Sequence, residues 1–502
     1  MLEKLCSHPP MTKTRLAAPA TPDRSRPRAS RGWRDLCDFR VFLYPLLILA
    51  ALPAAAQQGA APPAPSIHQR SMAAGYKALM LCGAIFNGGR TQAQAEALEL
   101  TGIYPDYDAI VPTLKAEVDR ERGTVAVPYD AAMPPRRAEW LGSDRGCAVF
   151  APGATALPEI GDVRSPGYRP VAGFQRPDPR PFPIGDGGLP ARADPRIAPV
   201  LARAFTTAYG EKARTVGVLV MHQGKFLGER YADGFGPFTA NRTWSVAKSM
   251  AGTLVGIAVK QGLADVTASA DIPEWGPWPR SDRRRTITLD HLLRMASGLH
   301  SDTAGNRSDA IYFGGVRVTD ETVSWPLEML PGTRFRYANN DILLAMRALR
   351  ASMGEDRYRN FPKAALFDPL DMRHTVAEQD VGGNYILSSQ VWSTARDFAR
   401  LGQFWLQDGM WNGHRMLPEG WMRTMTTPSG PQPAAGPGYG ATLWLFGPAQ
   451  GLPAGSYAAQ GNRGQYIMVI PSARLVVVRR GEDPGGGFDI AAFAADVVKA
   501  LQ

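Results

Sequence analysis

The 502-residue chain has only 4 cysteines and 7 histidines, and that scarcity closes off several kinds of chemistry. No Cys/His spacing fits a zinc site and there is no His-Glu-x-x-His, so neither a metal nor an organic cofactor is expected. Gly-x-Ser-x-Gly is also missing, and with it the strained turn of a Ser-His-Asp hydrolase. His8 and His68 precede the main patterned region. Of the remaining five, His222 borders a hairpin turn and His291 follows Asp290 in a helical stretch, so both read as structural; His300, His374 and His414 complete the set. Internal repeats are absent. The one dense basic run, Arg283-Arg284-Arg285, reads as a solvated loop, which leaves nucleic acid out as a partner. The net charge of +10 misleads here, because residues 1–40 alone contribute +5 from nine basic and four acidic side chains.

No apolar run reaches the ~20 residues a spanning helix needs. The longest, Val41-Phe42-Leu43-Tyr44-Pro45-Leu46-Leu47-Ile48-Leu49-Ala50-Ala51-Leu52, follows a basic segment and leads into Ala54-Ala55-Ala56. That order predicts an export signal cleaved after Ala56 and a periplasmic or secreted protein, with no stable membrane span after cleavage. An uncleaved anchor is the alternative, and the 40 residues ahead of the signal are an extended leader or an over-long start. Cys6 and Cys37 fall in the leader. Cys82 and Cys147 remain, in a compartment where disulfides persist, and are expected to pair.

Four segments are expected: leader and signal over 1–56, a small N-terminal region over 57–150, a Pro/Gly-rich linker over 151–195, and one continuous α/β domain over 196–502. In the second, helices are predicted from Ser71 to Cys82 and from Thr91 to Leu100, and a strand at Thr124–Val127. In the fourth, Ile197–Tyr209 reads as a helix. Val216–Met221 and Phe226–Tyr231 read as a hairpin, Gln465–Ile470 and Leu475–Arg479 as another, and Ile490–Ala500 as a final helix. Strands at both ends with helices between imply a sheet assembled from distant segments.

Chemistry concentrates in Trp244-Ser245-Val246-Ala247-Lys248. On a helix, positions i and i+3 share a face, so the Ser245 hydroxyl and the Lys248 amine can meet. A serine in the first turn also lies where free backbone N–H groups favour negative charge. The bland alternative is a helix cap beside a solvated lysine. Further on, Pro331-Gly332-Thr333-Arg334-Phe335-Arg336-Tyr337-Ala338-Asn339 leads from a turn into an apolar helix and brings Tyr337 near Asn339. A second Tyr-x-Asn, Tyr358-Arg359-Asn360, sits in a polar run and reads as surface.

Ser245-x-x-Lys248, then Thr286–Leu299, then Pro331-Gly332-Thr333 with Tyr337-Ala338-Asn339, then Gly461-Asn462-Arg463-Gly464-Gln465 before an apolar strand, resemble the ordered motifs of class C β-lactamase-related serine hydrolases. The pattern is most similar to the 6-aminohexanoate-dimer hydrolase and esterase branch. The resemblance implies an α/β (α+β) fold, a β-lactamase/transpeptidase-like domain with a mainly antiparallel sheet flanked by helices, plus the N-terminal extension. It implies an acyl-enzyme on Ser245 and a Lys248 whose pKa burial and nearby positive charge must lower. It makes Tyr337 base toward Ser245 and acid toward the leaving group, with Asn339 positioning lysine and substrate. Backbone N–H groups of Ser245 and of Asn462, on an edge strand, would form the oxyanion hole.

Where β-lactamases and penicillin-binding enzymes have Lys-Thr-Gly, this sequence has Ala459-Gln460-Gly461. The glycine is kept, as close approach of backbone to substrate would require. The cation that meets a substrate carboxylate is gone, and Arg463 either substitutes for it or is a solvated turn residue. A neutral small-molecule ester or amide is therefore favoured. The alternatives are a slowly turning-over acyl-binding sensor on the same fold and a cell-wall D,D-carboxypeptidase or β-lactamase. Trp325, Trp392, Trp405, Trp411, Trp421 and Trp444 could line an acyl pocket but read mostly as core; Trp444, on a strand just before the third motif, is the one to which a substrate role stays open.

Overall fold

Leu475-Val476-Val477-Val478 shows how the fold is organised. Leu475 and Val477 join one apolar core and Val476 and Val478 another, because successive side chains on a strand point to opposite faces. A sheet apolar on both faces must be covered on both. In the computed structural model, which describes residues 64–156, 177–301, 308–485 and 487–502, it is. The predicted signal and its cleavage point after Ala56 lie outside the described residues.

The main sheet is seven-stranded and antiparallel in every pairing. Its spatial order is Gly438–Tyr439, Trp444–Phe446, Ser456–Gly461, Gln465–Ile470, Leu475–Gly481, Thr215–His222 and Lys225–Tyr231. Both predicted hairpins are present, and the distant segments join where Val477 faces Val220. One face packs on Ala198–Arg203 and Ile490–Ala500, the other on Val246–Lys260 and Ala395–Leu406. The Ile197–Tyr209 helix is interrupted: it runs as an α-helix over Ala198–Arg203, and a separate 3-10 turn forms at Thr207–Tyr209.

Residues 64–150 share a core with the domain that follows them. Tyr76 and Leu79 of the helix Ile67–Cys82 pack in one cluster with Phe313, Leu343 and Trp392. The buried Arg136 joins the two parts through carbonyls, donating to Ser71 O and Phe150 O at 2.9 Å and to Phe313 O at 2.7 Å. Cys82 and Cys147 form the expected disulfide, which ties the end of that helix to the strand Cys147–Val149. Residues 183–186 of the Pro/Gly-rich stretch lie along Ala395–Leu406, where buried Arg400 donates to Pro183 O and Gly185 O at 2.8 and 2.7 Å.

Two surface readings need correction. Tyr358 is buried, and its hydroxyl accepts from Tyr385 N at 3.2 Å, because the polar run around it presents one apolar side inward. Of the three arginines, Arg283 is exposed, but Arg284 stacks 3.6 Å over Trp278 and pairs with Asp282 at 2.7 Å. Arg285 donates to Trp278 O at 2.9 Å. Among the described residues no helix is long and apolar enough to cross a membrane.

Candidate active site

The nucleophile candidate is delivered by a strained approach. The short strand Asn241–Arg242 leads to Thr243, whose N–H donates to Val391 O at 2.7 Å, and then to Trp244 at φ +50°. A bulky residue in the left-handed region needs its surroundings to hold it there. The Arg242 guanidinium does so, 3.8 Å over the indole ring, with Tyr104 edge-on at 6.5 Å. Ser245 then takes the N-cap position of the 15-residue helix Val246–Lys260 without a side-chain capping hydrogen bond.

One turn on, Lys248 is 1% exposed. Its Nζ lies 3.1 Å from Ser245 Oγ, 2.6 Å from Asn339 Oδ1 and 2.8 Å from Ser388 O. Three acceptors match the three protons of an ammonium. A neutral amine keeps two donations and turns its lone pair to the serine hydroxyl. Burial, and next the positive charge of Arg242, lower the Lys248 pKa to about 7, while Asp341 acts in the opposite direction. Burial in turn pushes Asp341 up to about 7 against the hydrogen bond from Ser297 Oγ at 2.7 Å.

Tyr337 precedes the helix Asn339–Met353 and lines the same cavity as Ser245. Desolvation raises its pKa well above the ordinary phenol value. Trp444 and Tyr439 hold the ring, with centroids 5.5 and 6.0 Å away. Ser245, Tyr337, Asn339, Gln460, Gly461, Asn462 and Trp444 line one cavity of about 370 Å³, with Lys248 behind the serine. Trp325, Trp392, Trp405, Trp411 and Trp421 are buried. None of the histidines lines this cavity.

Three details differ from the sequence reading. The strand Ser456–Gly461 is third from the sheet edge, and Asn462 begins the turn after it, its Oδ1 accepting from Arg463 N at 2.9 Å. Gly461 answers the nucleophile's own chain: a Cβ there would stand 2.3 Å from Thr243 O and 3.1 Å from Trp244 Cβ. Arg463 is neither a substrate cation nor solvated. It is 2% exposed, its guanidinium spent on Glu482 and on carbonyls of residues 98–102.

The cavity also recruits Tyr104, Trp244, Tyr312 and Ser389, which sequence reasoning missed. Arg242 and Trp244 adjoin the nucleophile in sequence and were within its reach. Tyr104 and Tyr312 reach the site by tertiary packing alone, with no local signal. Every lining side chain is uncharged.

The family model described as Beta-lactamase matches residues 201–492, which include Ser245, Lys248, Tyr337 and Asn339. The chain is 26% identical over 295 residues to the 6-aminohexanoate-dimer hydrolase of Paenarthrobacter ureafaciens, a match covering 54% of this chain and 73% of that protein. A candidate β-lactamase from Bacteroides dorei superposes with a TM-score of 0.50 at 20% identity, over 61% of this chain and 99% of its own. A candidate 6-aminohexanoate-dimer hydrolase from Bacillus anthracis gives 0.49 at 21% identity, over 57% and 79%. The matched span exceeds half the chain and holds the Ser245–Lys248 pair, and this chain belongs to the Beta-lactamase family of hydrolases.

Proposed function

We propose that this chain is an exported serine hydrolase, periplasmic or secreted, that cleaves a neutral ester or amide through an acyl-enzyme on Ser245. The observation that carries the reading is the buried Lys248 amine, bridging Ser245 Oγ and Asn339 Oδ1 with a pKa lowered to about 7. A group poised near neutrality is where a general base works best. In this proposal residues 1–56 are leader and signal, 57–150 a small N-terminal region, 151–195 a Pro/Gly-rich linker and 196–502 the hydrolase domain.

Neutral Lys248 takes the Ser245 proton as Oγ attacks the substrate carbonyl carbon. The backbone N–H groups of Ser245 and Asn462 receive the oxyanion, and losing one such donor typically costs roughly 10²–10³ in rate. Burial holds Tyr337 in its protonated form, so its first role here is acid: it gives its proton to the leaving group and recovers one from the Lys248 ammonium. Water then attacks the acyl carbon, with the proton transfers running in reverse. Asn339 holds the amine beside the Ser245 hydroxyl.

Uncharged cavity walls and the missing Lys-Thr-Gly cation support a neutral substrate. The similarity to a 6-aminohexanoate-dimer hydrolase supports amide as well as ester cleavage. The test is intact mass of the protein with p-nitrophenyl esters of graded acyl length, beside Ser245→Ala. A transient acyl adduct with nitrophenol release, both lost in the variant, is expected; identical behaviour of the two proteins overturns the reading.

A further inference from the structure

The family match begins at residue 201, yet one wall of the Ser245 cavity comes from Tyr104, far ahead of it in the chain. This ring is only half-buried and is gripped by other aromatics. It lies edge-on to Tyr76 at 5.9 Å and to Trp244 at 6.5 Å, and stacks on Phe313 at 6.0 Å. The segment leading to it is clamped to the site's own turn. Arg463, next to Asn462, donates to Leu98 O and Thr101 O at 2.7 Å and to Gly102 O at 3.2 Å. Its partner Glu482 also accepts from Arg90 at 3.0 Å and from Asn241 Nδ2 at 2.9 Å, on the strand that leads into the nucleophile. A buried ion-pair network of this kind is weak support for stability and well suited to fixing register. Here it fixes Tyr104 relative to Ser245. A module that only braced the fold would have no need to present a half-exposed ring to the cavity.

We propose that Tyr104 is a specificity-determining residue, an aromatic wall supplied from outside the matched family region that selects neutral substrates carrying an aryl group beside the scissile bond. This rests on the acyl-enzyme reading above. Tyr104, Trp244, Tyr312, Tyr337 and Trp444 surround the cavity with aromatic faces and edges, which favour another ring in stacked or edge-to-face contact. The absence of charge from these walls removes any competing attraction for an ionic group.

The experiment uses the full chain and four esters that place either an aryl-bearing group or a small alkyl group on each side of the bond: ethyl acetate, phenyl acetate, ethyl phenylacetate and phenyl phenylacetate. Released acid is titrated to give kcat/KM. Wild type is expected to prefer at least one aryl ester over ethyl acetate beyond the ratio of their spontaneous hydrolysis rates. That preference should fall roughly tenfold in Tyr104→Ala and Tyr104→Leu and persist in Tyr104→Phe. Tyr104→Leu decides the matter if the alanine variant does not fold. A wild type without aryl preference overturns the proposal, as does a preference unmoved by substitution or a common loss on all four esters. Ser245→Ala separates the two readings. If it hydrolyses the esters as wild type does, the acyl-enzyme itself falls; if it is inactive while the Tyr104 variants keep the preference, only this inference falls.

Discussion

Arg242 stacks its guanidinium 3.8 Å over the ring of Trp244, one residue ahead of the nucleophile candidate. Its hydrogen bonds go to Ser389 Oγ at 3.1 Å and Met80 Sδ at 3.4 Å, so a buried positive charge stands beside the Lys248 amine. That arrangement makes the pH profile diagnostic. If neutral Lys248 is the base, kcat/KM rises with pH and levels off above about 7, the value to which its pKa is lowered. Arg242→Met removes a charge that disfavours the ammonium and should move the limb up by roughly one pH unit. Asp341→Asn removes one that favours it and should move the limb down. A limb that stays in place in both variants would belong to another group.

Gly461→Ala tests the contact that sets Gln460 and Asn462 beside Ser245. The added Cβ meets Thr243 O at 2.3 Å, a backbone atom that cannot swing away. Pushing strand and nucleophile apart by a fraction of an ångström should lower kcat by roughly 10²-fold. The overpacking should cost about 1–3 kcal/mol of stability, read by denaturant unfolding. Wild-type kcat in this variant would show that the close approach has no part in catalysis.

The Cys82–Cys147 disulfide closes a loop of sequence separation 65. Cys82→Ala with Cys147→Ala should lose about 2–5 kcal/mol in urea unfolding, chiefly by freeing the unfolded chain. Reductant should destabilise the wild type and leave the double variant unchanged. Equal urea midpoints for the oxidised wild type and the variant would mean that the shared core alone holds the N-terminal module.

Glu378 is buried, and its Oε1 accepts from Asn87 Nδ2 at 2.9 Å, Trp392 Nε1 at 3.0 Å and Cys147 N at 3.4 Å, while Oε2 has no partner. Burial pushes its pKa up to about 8. Its folded value lies above the unfolded one, so the native state binds the extra proton. Its contribution is complete below about 4.5 and is lost as pH rises toward 8. Glu378→Gln keeps an acceptor for these three donors and cannot ionise. Its stability should therefore hold between pH 5 and 8 better than wild type, by roughly 1–3 kcal/mol at the upper end. Parallel stability curves for the two proteins would refute this.

Local sequence was enough for whatever depends on local geometry. The i, i+3 spacing brings Ser245 and Lys248 together on one helix face, and Tyr337-x-Asn339 reaches the same cavity from the start of the next long helix. Apolar runs separated by turn residues place the hairpins Thr215–Tyr231 and Gln465–Gly481, and the order of motifs along the chain carries the family. Tertiary structure decided what each face would meet. Arg463 looks like a turn residue until carbonyls of residues 98–102 surround its guanidinium. Tyr358 looks like surface until Tyr385 packs on it at 5.3 Å. Tyr104 bears no local mark of a cavity wall. Periodicity states which side of an element is apolar, whereas the partner of a buried polar group, and so the fate of that group, is fixed only when distant segments close on it.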